Sequence, residues 1–106
     1  MEGYVLHFYV HENRQHKGQP TWQWLMRQAN RMGLQGGSAF RTISGFGRHQ
    51  VLHEEHFFDV VGTTTIELQF LVLPADRERL MALIATEGLE LFYIETPARF
   101  GKTAGP

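Results

Sequence analysis

Two stretches, residues 4–11 and 64–73, alternate with a period of two, yet each carries large apolar side chains on both faces. In the first, Tyr4, Leu6, Phe8 and Val10 share one face, and Val5, His7, Tyr9 and His11 the other. In the second, Ile66, Leu68, Phe70 and Val72 oppose Glu67, Gln69, Leu71 and Leu73. Period two is the signature of a strand. A sheet that is apolar on both faces needs cover on both. The chain has 106 residues, the length of one small domain. It has little material for a second covering layer, so burial of that face by other subunits is the expectation.

The remaining segments fill in around these strands. Residues 12–19 read as a polar loop containing Gly18, and Pro20 suits a first helical position. Trp22, Leu25, Met26, Ala29 and Met32 then recur at three- and four-residue steps, an amphipathic helix that Gly33 is placed to close. On this stripe Trp22 is core, whereas Trp24 falls off it and reads as a contact surface. Residues 38–44 read as a second strand. Pro74 ends the third, Asp76 is the N-cap candidate for a second helix through Ala85, and Leu80, Leu83 and Ile84 make its stripe. Residues 89–96 read as a fourth strand stopped by Pro97, and the tail from Lys102 is small and polar. The order is β-α-β, a long connection, then β-α-β. The expected class is α+β: a ferredoxin-like βαββαβ sandwich with a long loop between strands 2 and 3.

That connection opens with Ser44-Gly45-Phe46-Gly47-Arg48-His49 and continues through residues 50–63 without a clear period. Two glycines around an aromatic permit a sharp turn and close approach of another group. Connections this long in compact domains are usually functional. Composition narrows the field further. A formal net charge of −1 gives no support for nucleic-acid binding. The chain has no cysteine, so it lacks disulfides, thiolate metal sites and thiol nucleophiles. It shows no signal peptide and no apolar run of membrane-spanning length, so a cytoplasmic location without membrane insertion is expected.

Three ordered segments, Lys17-Gly18-Gln19-Pro20, Met32-Gly33-Leu34-Gln35-Gly36-Gly37-Ser38 and Phe40-Arg41-Thr42-Ile43-Ser44-Gly45-Phe46-Gly47, resemble the PII-like signalling proteins. They are most similar to the uncharacterised small-protein branch of that superfamily. Gly45-Phe46-Gly47-Arg48 also looks like the segment that opens the T-loop of nitrogen-regulatory PII proteins. The resemblance implies one PII-like domain over residues 1–106 and a ferredoxin-like trimer. It also implies small-molecule sites between subunits and a T-loop that reports ligand status to a partner protein. Relatives that bind adenine nucleotides hold the phosphates with T-loop backbone and with basic residues of neighbouring loops. Three departures argue against classical nitrogen sensing. Ala85-Thr86-Glu87-Gly88-Leu89 has no cation where those proteins carry a phosphate loop, His49 replaces a glutamine, and residues 50–63 contain no tyrosine.

The leading expectation is a non-enzymatic regulator binding a small anionic metabolite or nucleotide at the intersubunit cleft, with residues 48–63 as the signalling loop. Gly45, Phe46, Gly47 and Arg48 are the candidate anion site: successive backbone N–H groups make a donor nest, and a guanidinium adds a fork. Arg99 and Lys102 are candidate further cations. A second reading is a trimer that binds a divalent transition metal through His49, His53 and His56 with Glu54, because imidazole and carboxylate suit such ions. A third is a small ferredoxin-like enzyme with a pocket on the helix-free sheet face, for which His7 and Arg41 are the candidates. His7 and His11 otherwise read as structural histidines at a subunit contact. Arg41 is expected to pair with Glu67 or Glu90. No catalytic set emerges from the spacing of serines, histidines and acids.

Overall fold

The computed structural model describes residues 1–47 and 64–105. In chain order the elements are β1 (Glu2–His11), β2 (Gln15–His16), β3 (Gln19–Pro20), α1 (Thr21–Arg31), β4 (Gly36–Arg41), β5 (Thr65–Val72), α2 (Pro74–Thr86) and β6 (Phe92–Arg99). Four of the strands form one sheet in the order β4-β5-β1-β6, with each neighbouring pair antiparallel. This α+β arrangement is compatible with the ferredoxin-like fold.

The period-two pattern sorts the sheet as expected. Leu6, Phe8 and Val10 of β1 lie opposite Phe70, Leu68 and Ile66 of β5, and all six are buried. Leu25 and Ala29 of α1 and Leu80 and Ile84 of α2 close over them to complete the core. The Phe8 and Phe70 rings meet at 6.0 Å in a tilted arrangement, the offset geometry that aromatic pairs favour. The face away from the helices keeps Val5, Tyr9 and Leu71 half-buried, and Phe40, Phe92 and Ile94 remain 50%, 65% and 43% exposed.

The second strand spans Gly36–Arg41 rather than residues 38–44, and four further details differ from the sequence reading. Trp24, not Trp22, is the buried indole of α1; Trp22 only packs against the core's edge. The reason lies in residues 12–19, which are not a plain loop. Strands β2 and β3 form a hairpin, His16 opposite Gln19, joined by Lys17 and Gly18 with φ of 50° and 79°. Two left-handed residues make the type I′ turn that suits strand twist. The hairpin sets the His16 ring edge-on against Trp24 at 4.6 Å, so the side of α1 that helical phase leaves uncovered is covered by its own lead-in. Gly18→Ala should cost about 1 kcal/mol, since nothing lies within 4 Å of its Cβ position and only the positive φ is strained. Chemical denaturation against wild type measures it.

Second, Asp76 is not a cap. Pro74 occupies the first turn of α2, Leu73 stands at the N-cap without a side-chain bond, and Asp76 instead accepts from Arg79 at 2.9 Å. A proline that begins the helix moves Asp76 inside it. Third, the last strand runs on to Arg99 and contains Pro97. Strand β6 is at the sheet's edge, where half the N–H groups have no partner strand to meet, so proline is tolerated. Fourth, Arg41 pairs with Glu12 rather than with Glu67 or Glu90. Arg41 lies opposite Ile66 and so faces the helix side, whereas Glu67, one residue on, faces away.

Candidate functional site

The sheet end from which residues 42–47 depart is held by paired backbone and side chains. The N–H of Glu12 donates to the carbonyl of Thr64 at 2.8 Å. The N–H and the hydroxyl of Thr42 both donate to the carbonyl of Thr65, at 3.0 and 2.9 Å. The Arg41 guanidinium donates to the Glu12 carboxylate. That hydrogen bond, with the added attraction of the cation, holds the Glu12 carboxyl below the usual carboxylate range. These contacts tie the end of β1, the end of β4 and the start of β5 together. Ile43, Ser44, Gly45, Phe46 and Gly47 then extend from this clamp with exposed side chains and backbone. Glu12, Thr42 and Thr65 were not singled out from the sequence. Their roles depend on a register that brings residues 12, 42 and 65 together, and no local pattern signals it.

Arg48 and the proposed metal ligands His49, His53, Glu54 and His56 lie outside the described residues. Among the described residues, no group of three His, Cys, Asp or Glu side chains is arranged to hold a metal ion.

Arg99 and Lys102 are at the other end of the sheet. Arg99 pairs in register with Glu2, and its guanidinium is 4.0 Å from that carboxylate. The N–H of Phe100 donates to the carbonyl of Met1 at 2.9 Å, and Lys102 follows, exposed. Arg41, by contrast, is in register with Ile66, and Ile66 with Val10. An eight-residue strand such as β5 spans about 26 Å. Within one chain, therefore, Gly45, Phe46 and Gly47 are not brought together with Arg99 and Lys102.

The helix-free face has a polar centre. His7 Nδ1 and Glu67 Oε2 are 2.8 Å apart, and in register His7 lies between Gln69 and Ile94. Partial burial, with the nearby Glu67 charge, pushes the Tyr9 hydroxyl above its ordinary range. Arg41 is not part of this group, because it stands on the opposite face. A pocket built from His7 and Arg41 is thus not what the sheet presents.

Among the described residues, no helix is long and apolar enough to cross a membrane. In comparison with known proteins, the family DUF190, described as "Uncharacterized ACR, COG1993", matches residues 3–87. A relative from Aquifex aeolicus (strain VF5), the UPF0166 protein, is 21% identical over 98 residues, covering 85% of this chain and 93% of its own.

Proposed function

This chain belongs to the DUF190 family, an uncharacterised branch of the PII-like superfamily, and from that membership and its open sheet face we propose a PII-like regulatory protein. It is a homotrimer, binds rather than catalyses, and takes a small anionic metabolite or an adenine nucleotide in the cleft between copies. Residues 48–63 couple that ligand to a partner protein, since a ligand that favours one conformation of a loop shifts what the loop can contact.

The observation that carries this reading is the helix-free face. Phe40, Phe92 and Ile94 stand at least two-fifths exposed on one side of a single sheet, beside Tyr9, Val5 and Leu71. Isolated domains seldom leave this much apolar side-chain surface to water on one sheet face, and here it surrounds the polar His7–Glu67 centre. Edge strand β4 adds support: it presents Gly36, Gly37, Ser38 and Ala39 with no proline or lysine to guard its unpaired backbone. The placement of the candidate cations fits the same reading. A site that uses both Gly45–Gly47 and Arg99 must draw them from different copies, because one chain holds them at opposite ends of the sheet.

The test is a thermal-shift screen of adenine nucleotides and other metabolite anions against wild type, Arg48→Ala and Gly47→Val. A ligand that binds the native state raises the melting temperature. Arg48→Ala should weaken binding by about 1.5–3 kcal/mol, the worth of a charge-assisted hydrogen bond, with little change in stability. Gly47→Val should be worse, because a β-branched side chain obstructs close approach of the ligand to the backbone. A ligand that both variants bind as wild type does would reduce the Gly-Phe-Gly segment to a turn.

A further inference from the structure

A second cluster, far from the loop base in sequence, joins the β2–β3 hairpin to the end of α2. His16 Nε2 and Glu87 Oε1 are 2.9 Å apart. Lys17 Nζ donates to the same carboxylate, 3.0 Å from Oε1 and 3.2 Å from Oε2. The His16 and Glu87 side chains are only 15% and 17% exposed, while Lys17 is largely in solvent. Glu87 is the C-cap residue of α2, and its two partners are consecutive: His16 ends β2 and Lys17 begins the turn. The hairpin is further joined to the next segment where Arg14 Nη1 donates to the carbonyl of Glu90 at 3.2 Å. It is joined to α1 where the N–H of Thr21 donates to the carbonyl of Arg14. The imidazole also meets the Trp24 ring, 4.6 Å away in an edge-to-face arrangement.

We propose that His16, Lys17 and Glu87 form a proton-dependent latch that fastens the β2–β3 hairpin to the C-terminal end of α2. The groups facing the imidazole are the Glu87 carboxylate from α2, the Lys17 ammonium from the turn and the indole of Trp24 from α1; the Arg14 guanidinium is held on the Glu90 carbonyl. With neutral imidazole the hairpin is held by one hydrogen bond and the Lys17 ion pair. The acceptor is already a carboxylate, so a proton on His16 turns this hydrogen bond into an ion pair between two side chains that are mostly covered. The latch therefore tightens as pH falls through the range in which imidazoles titrate. It is lost only when the carboxylate itself protonates. The hydrogen bonds from His16 and then Lys17 hold Glu87 below the usual carboxylate range, which places that loss at still lower pH. The latch lies where Lys17-Gly18-Gln19-Pro20 meets residues 85–89, so it couples two connections that are distant in sequence. It stands independently of ligand binding and of assembly.

Trp24 provides the readout, because an imidazolium against an indole quenches its emission more than neutral imidazole does. The chain has two tryptophans, so the full-length Trp22→Phe variant isolates Trp24. Its emission should fall as pH is lowered from about 8 to about 5, the range in which imidazoles titrate, with one proton taken up. Adding His16→Gln should abolish that transition. Adding Glu87→Gln, which keeps the shape and removes the charge, should lower the midpoint, because the imidazolium loses its anionic partner. Proton NMR of the histidine rings in wild type and Glu87→Gln reads the same shift without altering position 16. A flat emission profile in the Trp22→Phe chain would overturn the latch. So would a transition that survives His16→Gln, or a midpoint indifferent to Glu87→Gln by both methods.

Discussion

Gly3→Ala is expected to destabilise the fold by about 3 kcal/mol, the upper end of the range for overpacking. A Cβ at this position would sit 2.0 Å from the carbonyl oxygen of Val72 and 3.0 Å from its carbonyl carbon. It would also come within 3.1 Å of the Leu73 Cα, so all three obstacles are backbone. No side chain can swing aside to relieve the clash. The start of β1 must separate from the end of β5, where Tyr4 is in register with Val72, a fully buried core residue. In a domain of about 100 residues this corresponds to a fall of roughly 12 °C or more in melting temperature. Gly101→Ala is the control, since its Cβ position is open, and it should stay within about 0.5 kcal/mol of wild type. Equal stability of the two variants would show that the strand ends separate without loss.

Gly3 also marks the limit of what the sequence discloses. Its neighbours Tyr4, Leu6, Phe8 and Val10 announce a strand and its buried face, because alternation is a local pattern and burial follows it. The same holds for Ile66, Leu68, Phe70 and Val72, and for the helix stripe of Leu25 and Ala29. The close approach of Gly3 to Val72 is a contact between residues far apart in the chain, and a glycine in a strand does not say which backbone it meets. Trp24 shows the same limit in a helix. Periodicity placed it off the stripe, and only the hairpin folding back over α1 buries it. The turn that allows this, Lys17-Gly18, was within reach of local reasoning, but two-residue strands lack the alternation that reveals longer ones.

The candidate site divides along similar lines. Gly45, Phe46 and Gly47 could be marked from composition, because glycine–aromatic–glycine is a local signal. The clamp beneath them could not. Arg41 was legible as a charged residue in a strand that needed a carboxylate. Its partner depended on which face it occupied and on the distance between the ends of β1 and β4. Glu67 was a reasonable partner by strand adjacency and wrong by one residue of alternation.

Phe92→Asp should convert the assembly to monomers at micromolar concentration while leaving the monomer's fold intact. Phe92 is on edge strand β6, on the helix-free face, with its ring 5.9 Å from that of Tyr9. At 65% exposure it contributes little to the single chain's core, so its loss should change monomer stability by no more than about 0.5 kcal/mol. In the proposed trimer each copy buries that ring. Removing about 2 kcal/mol of apolar burial from each of three copies takes roughly 6 kcal/mol from assembly, about 10⁴-fold, before the desolvation of the new carboxylates is added. Arg31→Glu, at the exposed end of α1, changes charge away from this face and should leave assembly unchanged. Sedimentation velocity with circular dichroism on the same samples separates the outcomes. A trimer that persists in Phe92→Asp would mean that the copies meet elsewhere, and the unguarded edge of β4 would be the next surface to probe. A wild-type chain that sediments as a monomer would remove the trimer altogether, and with it the cleft in which the anion is proposed to bind.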